Sequence, residues 1–137
     1  MIKYVAAYLG AGLTFAIIDA VWLTTMTPRL YKPVIGPILA AKPDMTAAII
    51  FYLLSIAGTV FLAIDPALRE GSWTRALLNG AVLGFIAYAT YDLTNQATLS
   101  VWSWKLTLTD IAWGTVLTAT SALGGYFAAR WAEGRWG

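Results

Sequence analysis

The sequence predicts an all-α membrane protein, a bundle of four transmembrane helices joined by short loops. Three observations predict it. Of the 137 residues, 59% are hydrophobic and only 12% are charged, whereas a typical soluble domain carries roughly 25% charge. Mean hydropathy is +0.68. Four apolar stretches each approach the roughly 20 residues a helix needs to cross about 30 Å of hydrocarbon. A soluble chain of this length could not hide that much apolar surface, so lipid must solvate much of it. The expected organisation is a single membrane domain over residues 1–137.

The first stretch, about 2–25, contains one charge beyond its opening Lys3, Asp19. Its opening Lys3 and apolar run are like a signal peptide, but the run is too long for one. It is expected to stay as the first helix. The next connection, Thr27 to Met45, holds Pro28, Pro33, Pro37 and Pro43. Proline breaks regular helix, so a loop is predicted there, with one short interfacial turn near 38–41. The second helix, about 46–64, is free of charge, and Asp65-Pro66 then reads as a turn. The third, about 75–97, contains Asp92, and a Trp-rich turn follows at 98–105. The fourth, about 106–129, contains Asp110. In lipid the backbone must satisfy its own hydrogen bonds, which makes these segments helices. Gly80 with Gly84, and Ser121 with Gly125, have the small-residue spacing that lets helices approach closely. Packing inside the bundle is their expected use, with a homo-oligomeric contact as the alternative.

Composition also excludes function classes. The chain has no Cys and no His. That removes thiol chemistry, the usual zinc sites, imidazole catalysis and ordinary haem ligation; no metal and no cofactor are expected. The nine Lys and Arg are scattered, so no basic stripe exists to follow a nucleic acid. An even number of helices places both termini on one side. Five basic residues against four lean that side to the cytoplasm under the positive-inside rule.

The informative feature is where the acids fall. Helices one and three run the same way, and helix four starts where three ends. Asp19 then lies roughly 10 Å deep, Asp92 similarly, and Asp110 about 6 Å deep, at 1.5 Å per residue. All three occupy the leaflet beside the first and third connections. Helical spacing gives each an aromatic or polar neighbour on its own face: Asp19 with Trp22, Tyr88 with Asp92, Asp92 with Asn95, and Asp110 with Trp113. Tyr91 adds polar capacity. An ionisable group in a membrane helix costs about 3 kcal/mol or more to insert, so it normally faces the interior and has a role. The candidate ligand-binding residues are therefore Asp19, Trp22, Tyr88, Tyr91, Asp92, Asn95, Asp110 and Trp113. Structural alternatives stand beside each. Asp110 fits an early-turn acid facing the helix dipole. Asp92 with Asn95 fits an interhelical hydrogen-bond knot. Trp22 and Trp113 fit an interfacial belt, and Tyr31 fits either the membrane surface or a cap on the site.

The segment AYATYDLTNQATLSVWSWKLTLTDIAWGTVLTA, with IDAVWL and KPDMTAAIIFYLL before it, resembles the DUF2177 family of small uncharacterised bacterial membrane proteins. The similarity covers nearly the whole chain. The matching motif positions are Asp19, Trp22, Tyr91, Asp92, Thr94, Asn95, Trp104, Asp110, Trp113 and Gly114. The resemblance implies a four-helix protein of the bacterial inner membrane and supplies no activity.

Three functions compete. Carboxyls beside aromatic faces suit a protein that binds or transports a small amphipathic or lipid-like molecule, through charge and cation–π attraction. An intramembrane acid–base enzyme acting on a lipid or isoprenoid is the first alternative; no nucleophile–base pair or nucleotide motif supports it. A structural or accessory membrane subunit is the second. Membrane lipid and an amphipathic small molecule are the expected partners.

Overall fold

The computed structural model describes residues 1–136. Four helical stretches follow one another: α1 (Ile2–Ile38), α2 (Met45–Glu70), α3 (Trp73–Thr98) and α4 (Trp104–Trp136). No strand occurs among the described residues. The helices α1, α2 and α3 are long and apolar enough to cross a membrane.

The first connection differs from expectation. The helix does not stop at residue 25 and give way to a proline-rich loop; it continues to Ile38 by changing type. An α-helix over Ile2–Met26 passes into a π-turn at Thr27–Tyr31, a short α-turn at Lys32–Ile35 and a 3-10 turn at Gly36–Ile38. Pro28, Pro33 and Pro37 each fall in the first two positions of one of these turns. A helix start does not use that N–H, so each proline resets the turn instead of ending the helix. Irregular backbone is confined to 39–44. Asp44 then caps α2, its side chain accepting from the Ala47 N–H at 3.2 Å.

The same substitution of a helical reset for a turn recurs at Asp65-Pro66. A π-turn at Val60–Ile64 leads into Asp65–Glu70 with the proline again in its opening positions. The true stop is Gly71, which takes the left-handed conformation (φ 64°) that favours glycine. Ser72 caps α3 by accepting from the Arg75 N–H at 3.2 Å. The fourth helix outruns its expected end at 129 and reaches Trp136. Glu133, in that extra length, faces Lys3 at 3.4 Å and Arg130 at 3.5 Å.

The axis of the bundle is α4, antiparallel to both α1 and α3. Against α1, Gly124 meets Thr14 and the Gly10 carbonyl, and Gly125 meets Ala7 and Ala11. Against α3, Gly80 packs on Thr118, Ala119 and Ala122, and Gly84 on Gly114 and Thr118. A Cβ on Gly84 would lie 2.3 Å from the Gly114 carbonyl oxygen, so glycine here sets the helix separation. Gly80, Gly84, Ser121 and Gly125 thus act inside the bundle, as their spacing predicts. The Ser121 hydroxyl is satisfied by its own helix, donating to the Leu117 carbonyl at 2.8 Å. With α1 and α3 covering it, α4 tolerates its Thr, Ser and Gly content. All four helices also turn apolar side chains outward, such as Leu13, Ile17, Leu54, Ile86 and Leu108. The second helix packs at its far half, where Ile56 reaches Gly12 and Ile64 reaches Gly125. Its near half, from Met45 to Leu54, is largely exposed.

Candidate functional site

The antiparallel run of α4 brings the three acids to one end of the bundle. Asp19 is buried, and both its oxygens are engaged. Tyr52 of α2 donates to Oδ2 at 2.7 Å, and the Trp113 indole N–H of α4 donates to Oδ1 at 3.2 Å. One carboxylate therefore ties three helices together. Asp110 is also buried and accepts a short hydrogen bond, 2.5 Å, from the Tyr31 hydroxyl. That hydroxyl in turn accepts from the Trp22 indole N–H at 2.9 Å. The Trp22 ring lies flat on Trp113, with centroids 4.4 Å apart and planes 4° from parallel. The two aromatics expected on separate acidic faces thus form one stacked pair that joins the Asp19 and Asp110 networks.

Asp92 is different. It has no solvent exposure, and neither carboxyl oxygen has a hydrogen-bond partner. Helix register sets the Asp110 carboxyl beside it, one turn on from the Tyr88–Gly114 contact of α3 and α4. The alternative of an interhelical hydrogen-bond knot at Asp92 and Asn95 does not match the structure: Asp92 accepts no bond from any helix, and Asn95 is half-buried one turn further on. The polar tie between α3 and α4 lies deeper toward the loop, where Trp102 donates to Thr107 and Thr107 donates to Gln96, each at 2.9 Å. An unpartnered buried carboxyl is costly, which sets Asp92 apart from the other two acids.

Tyr88 sits among all of them, within electrostatic reach of Asp19, Asp110, Tyr52 and Asp92. Its place depends on Gly114. A Cβ there would meet the Tyr88 ring at 2.1–2.5 Å, so only glycine lets the phenol lie flat against α4. Tyr91, more than half exposed, sets its ring edge-on to Trp102 with centroids 5.8 Å apart.

Two hollows meet at this layer and share Tyr88, Tyr91 and Asp110. One, of about 340 Å³, lies between the second and third helices, with Phe51, Ala87, Tyr88 and Tyr91 as walls and Asp110 as its polar group. The other, of about 300 Å³, runs under the proline segment, from Asp19 and Trp113 to Thr27, Tyr31, Ile35 and Leu39. Asp19 and Leu39 would be about 30 Å apart along a straight helix. Their presence on one small hollow means that the Thr27–Ile38 segment folds back over the site. Wide π-turns and prolines are the usual causes of such a bend. Leu30 and Ile35 anchor the fold-back by packing on Leu106, with Trp22 and Trp102 around them.

Seven of the eight expected residues therefore meet in one layer, with Asn95 at its margin. Tyr52 is the residue that sequence reasoning misses, because it looks like one more apolar residue of an uncharged helix. Of the two expectations for Tyr31, the cap on the site is the one the Asp110 bond fits. Among the described residues, no group of three His, Cys, Asp or Glu is arranged to hold a metal ion. The ion pairs among the described residues involve Lys3, Arg69, Arg75 and Arg130, and none of them reaches Asp19, Asp92 or Asp110.

No curated protein and no solved structure matches the chain. A family model does, over residues 4–127, with the description "Predicted membrane protein (DUF2177)". The span takes in α1 to α3 and all of α4 that touches the acidic layer, and on it the chain belongs to the DUF2177 family of membrane proteins.

Proposed function

We propose that this protein binds, and carries within the membrane, a small amphipathic molecule with a cationic head, taken in sideways from the lipid between α2 and α3. The observation that supports this most directly is a hollow with aromatic and apolar walls whose one acidic group is Asp110, in a layer of three acids that no ion pair among the described residues reaches. A cation arriving with the ligand would supply the missing charge. The faces of Tyr88 and Tyr91 would favour it further through cation–π attraction, worth about 2 kcal/mol when desolvated. Exposed Phe51 and Tyr91 would receive the apolar tail at the lipid boundary. We place the protein in the bacterial cytoplasmic membrane with both termini toward the cytoplasm.

Tetraphenylphosphonium, an amphipathic cation, is a suitable probe. Titrated into the purified protein in lipid nanodiscs, it is expected to bind saturably and to quench the Trp22–Trp113 fluorescence. Asp110→Asn, with its helix content retained, should weaken binding about tenfold, the size of one lost charge-assisted contact. Equal affinity for wild type and Asp110→Asn, or no saturable binding, would remove the reading.

A further inference from the structure

We infer that Asp92 and Asp110 hold one proton between them in the ligand-free protein, and that this proton leaves when the cation enters. The second half rests on the ligand reading above; the first does not.

The geometry carries it. Asp92 is fully enclosed with two bare oxygens, and one turn on from the Tyr88–Gly114 contact the antiparallel α3 and α4 set it beside Asp110. Tyr31 occupies Oδ1 of Asp110, which leaves Oδ2 for another donor. The polar groups around the pair are acids or phenols: Tyr31 of α1 bonds Asp110, Tyr88 and Tyr91 of α3 line both hollows with Asp110, and Asp19 of α1, held by Tyr52 of α2, lines the second hollow. None can bring positive charge. Two adjacent carboxylates in a low-dielectric layer repel strongly, and a phenol can satisfy only one oxygen at a time. A proton on one of the acids turns it into a donor for the other. That supplies the bond Asp92 lacks and leaves the pair with a single negative charge. When a monovalent cation takes the place of the proton, the charge of the site is unchanged, and the proton passes to water on the loop side. Asp19 has no such vacancy, because Tyr52 and Trp113 already fill both its oxygens.

The shared proton has its own signature, the infrared carbonyl stretch of a protonated carboxyl, which needs no ligand. Purified protein in nanodiscs at neutral pH is expected to show one such band. It should be absent from Asp92→Asn and Asp92→Ala, the second variant guarding against a fold effect of the amide, and should remain in Asp19→Asn. No band, or a band that survives both Asp92 variants, overturns the inference. Tetraphenylphosphonium added to the weakly buffered protein should then release about one proton per cation bound, as expected for a pair that shares one. Binding without proton release overturns the exchange while sparing the ligand reading. The band without any cation binding removes the ligand reading while sparing the shared proton.

Discussion

Gly114→Ala tests whether the acidic layer depends on close helix contact. The added Cβ would lie 2.1, 2.3 and 2.5 Å from Cγ, Cδ1 and Cδ2 of Tyr88, where carbon pairs prefer about 3.5–4.0 Å. The ring must therefore move by more than about 1 Å, or α3 and α4 must part, taking Gly84 off the Gly114 carbonyl. Overpacking of this kind costs about 1–3 kcal/mol. The better helix propensity of alanine offsets about 1 kcal/mol of that, so a net loss of up to about 2 kcal/mol is expected. Reversible unfolding by SDS in mixed micelles measures it. The partner variant Tyr88→Ala removes the obstacle. In Tyr88→Ala the further change Gly114→Ala should be neutral or slightly stabilising, giving a coupling energy of about 1–3 kcal/mol between the two positions. The same effect of Gly114→Ala with Tyr88 present and with Tyr88 absent would refute the contact as described.

Other outcomes follow from the same packing and bonding. Gly84→Ala places a Cβ against backbone and should destabilise by about 1–3 kcal/mol, whereas Gly58→Ala, with nothing within 4 Å, should be neutral or stabilise by up to about 1 kcal/mol; thermal unfolding in detergent separates them. Tyr31→Phe removes a donor from Asp110 and an acceptor from Trp22. It should cost about 1–3 kcal/mol and, by loosening the fold-back, increase proteolysis or hydrogen exchange across 27–39. Asp92→Ala gives up only the bond of the shared proton, since no other donor reaches Asp92, so unfolding should show a smaller loss than for Asp19→Ala, which strands both Tyr52 and Trp113.

Much of the site was legible in the chain because depth in a membrane helix is a matter of counting. The rise per residue put Asp19, Asp92 and Asp110 at one level, and helical spacing put Trp22 and Trp113 beside acids. Counting along separate helices says nothing of which faces meet. That Trp113 bonds Asp19 of another helix instead of serving its own neighbour Asp110, and that Tyr52 completes the group, depends on how helices rotate against one another. The proline segment misled for a different reason. Proline forbids a hydrogen bond inside a helix, but at the opening of a turn that bond is not required. A run of turns of changing pitch, with a proline opening each, keeps the chain helical and bends it.

The sequence by itself determined the class of the molecule, the identity of its long apolar helices, the small residues at their contacts and the level of the acids, since each follows from composition or from a fixed rise per residue. Only the tertiary structure decided that α4 is the axis, that Tyr31 returns over Asp110, and that Asp92 alone is enclosed without a partner. Those depend on side chains distant in sequence meeting across helix faces, where a single missing Cβ at Gly84 or Gly114 sets the separation.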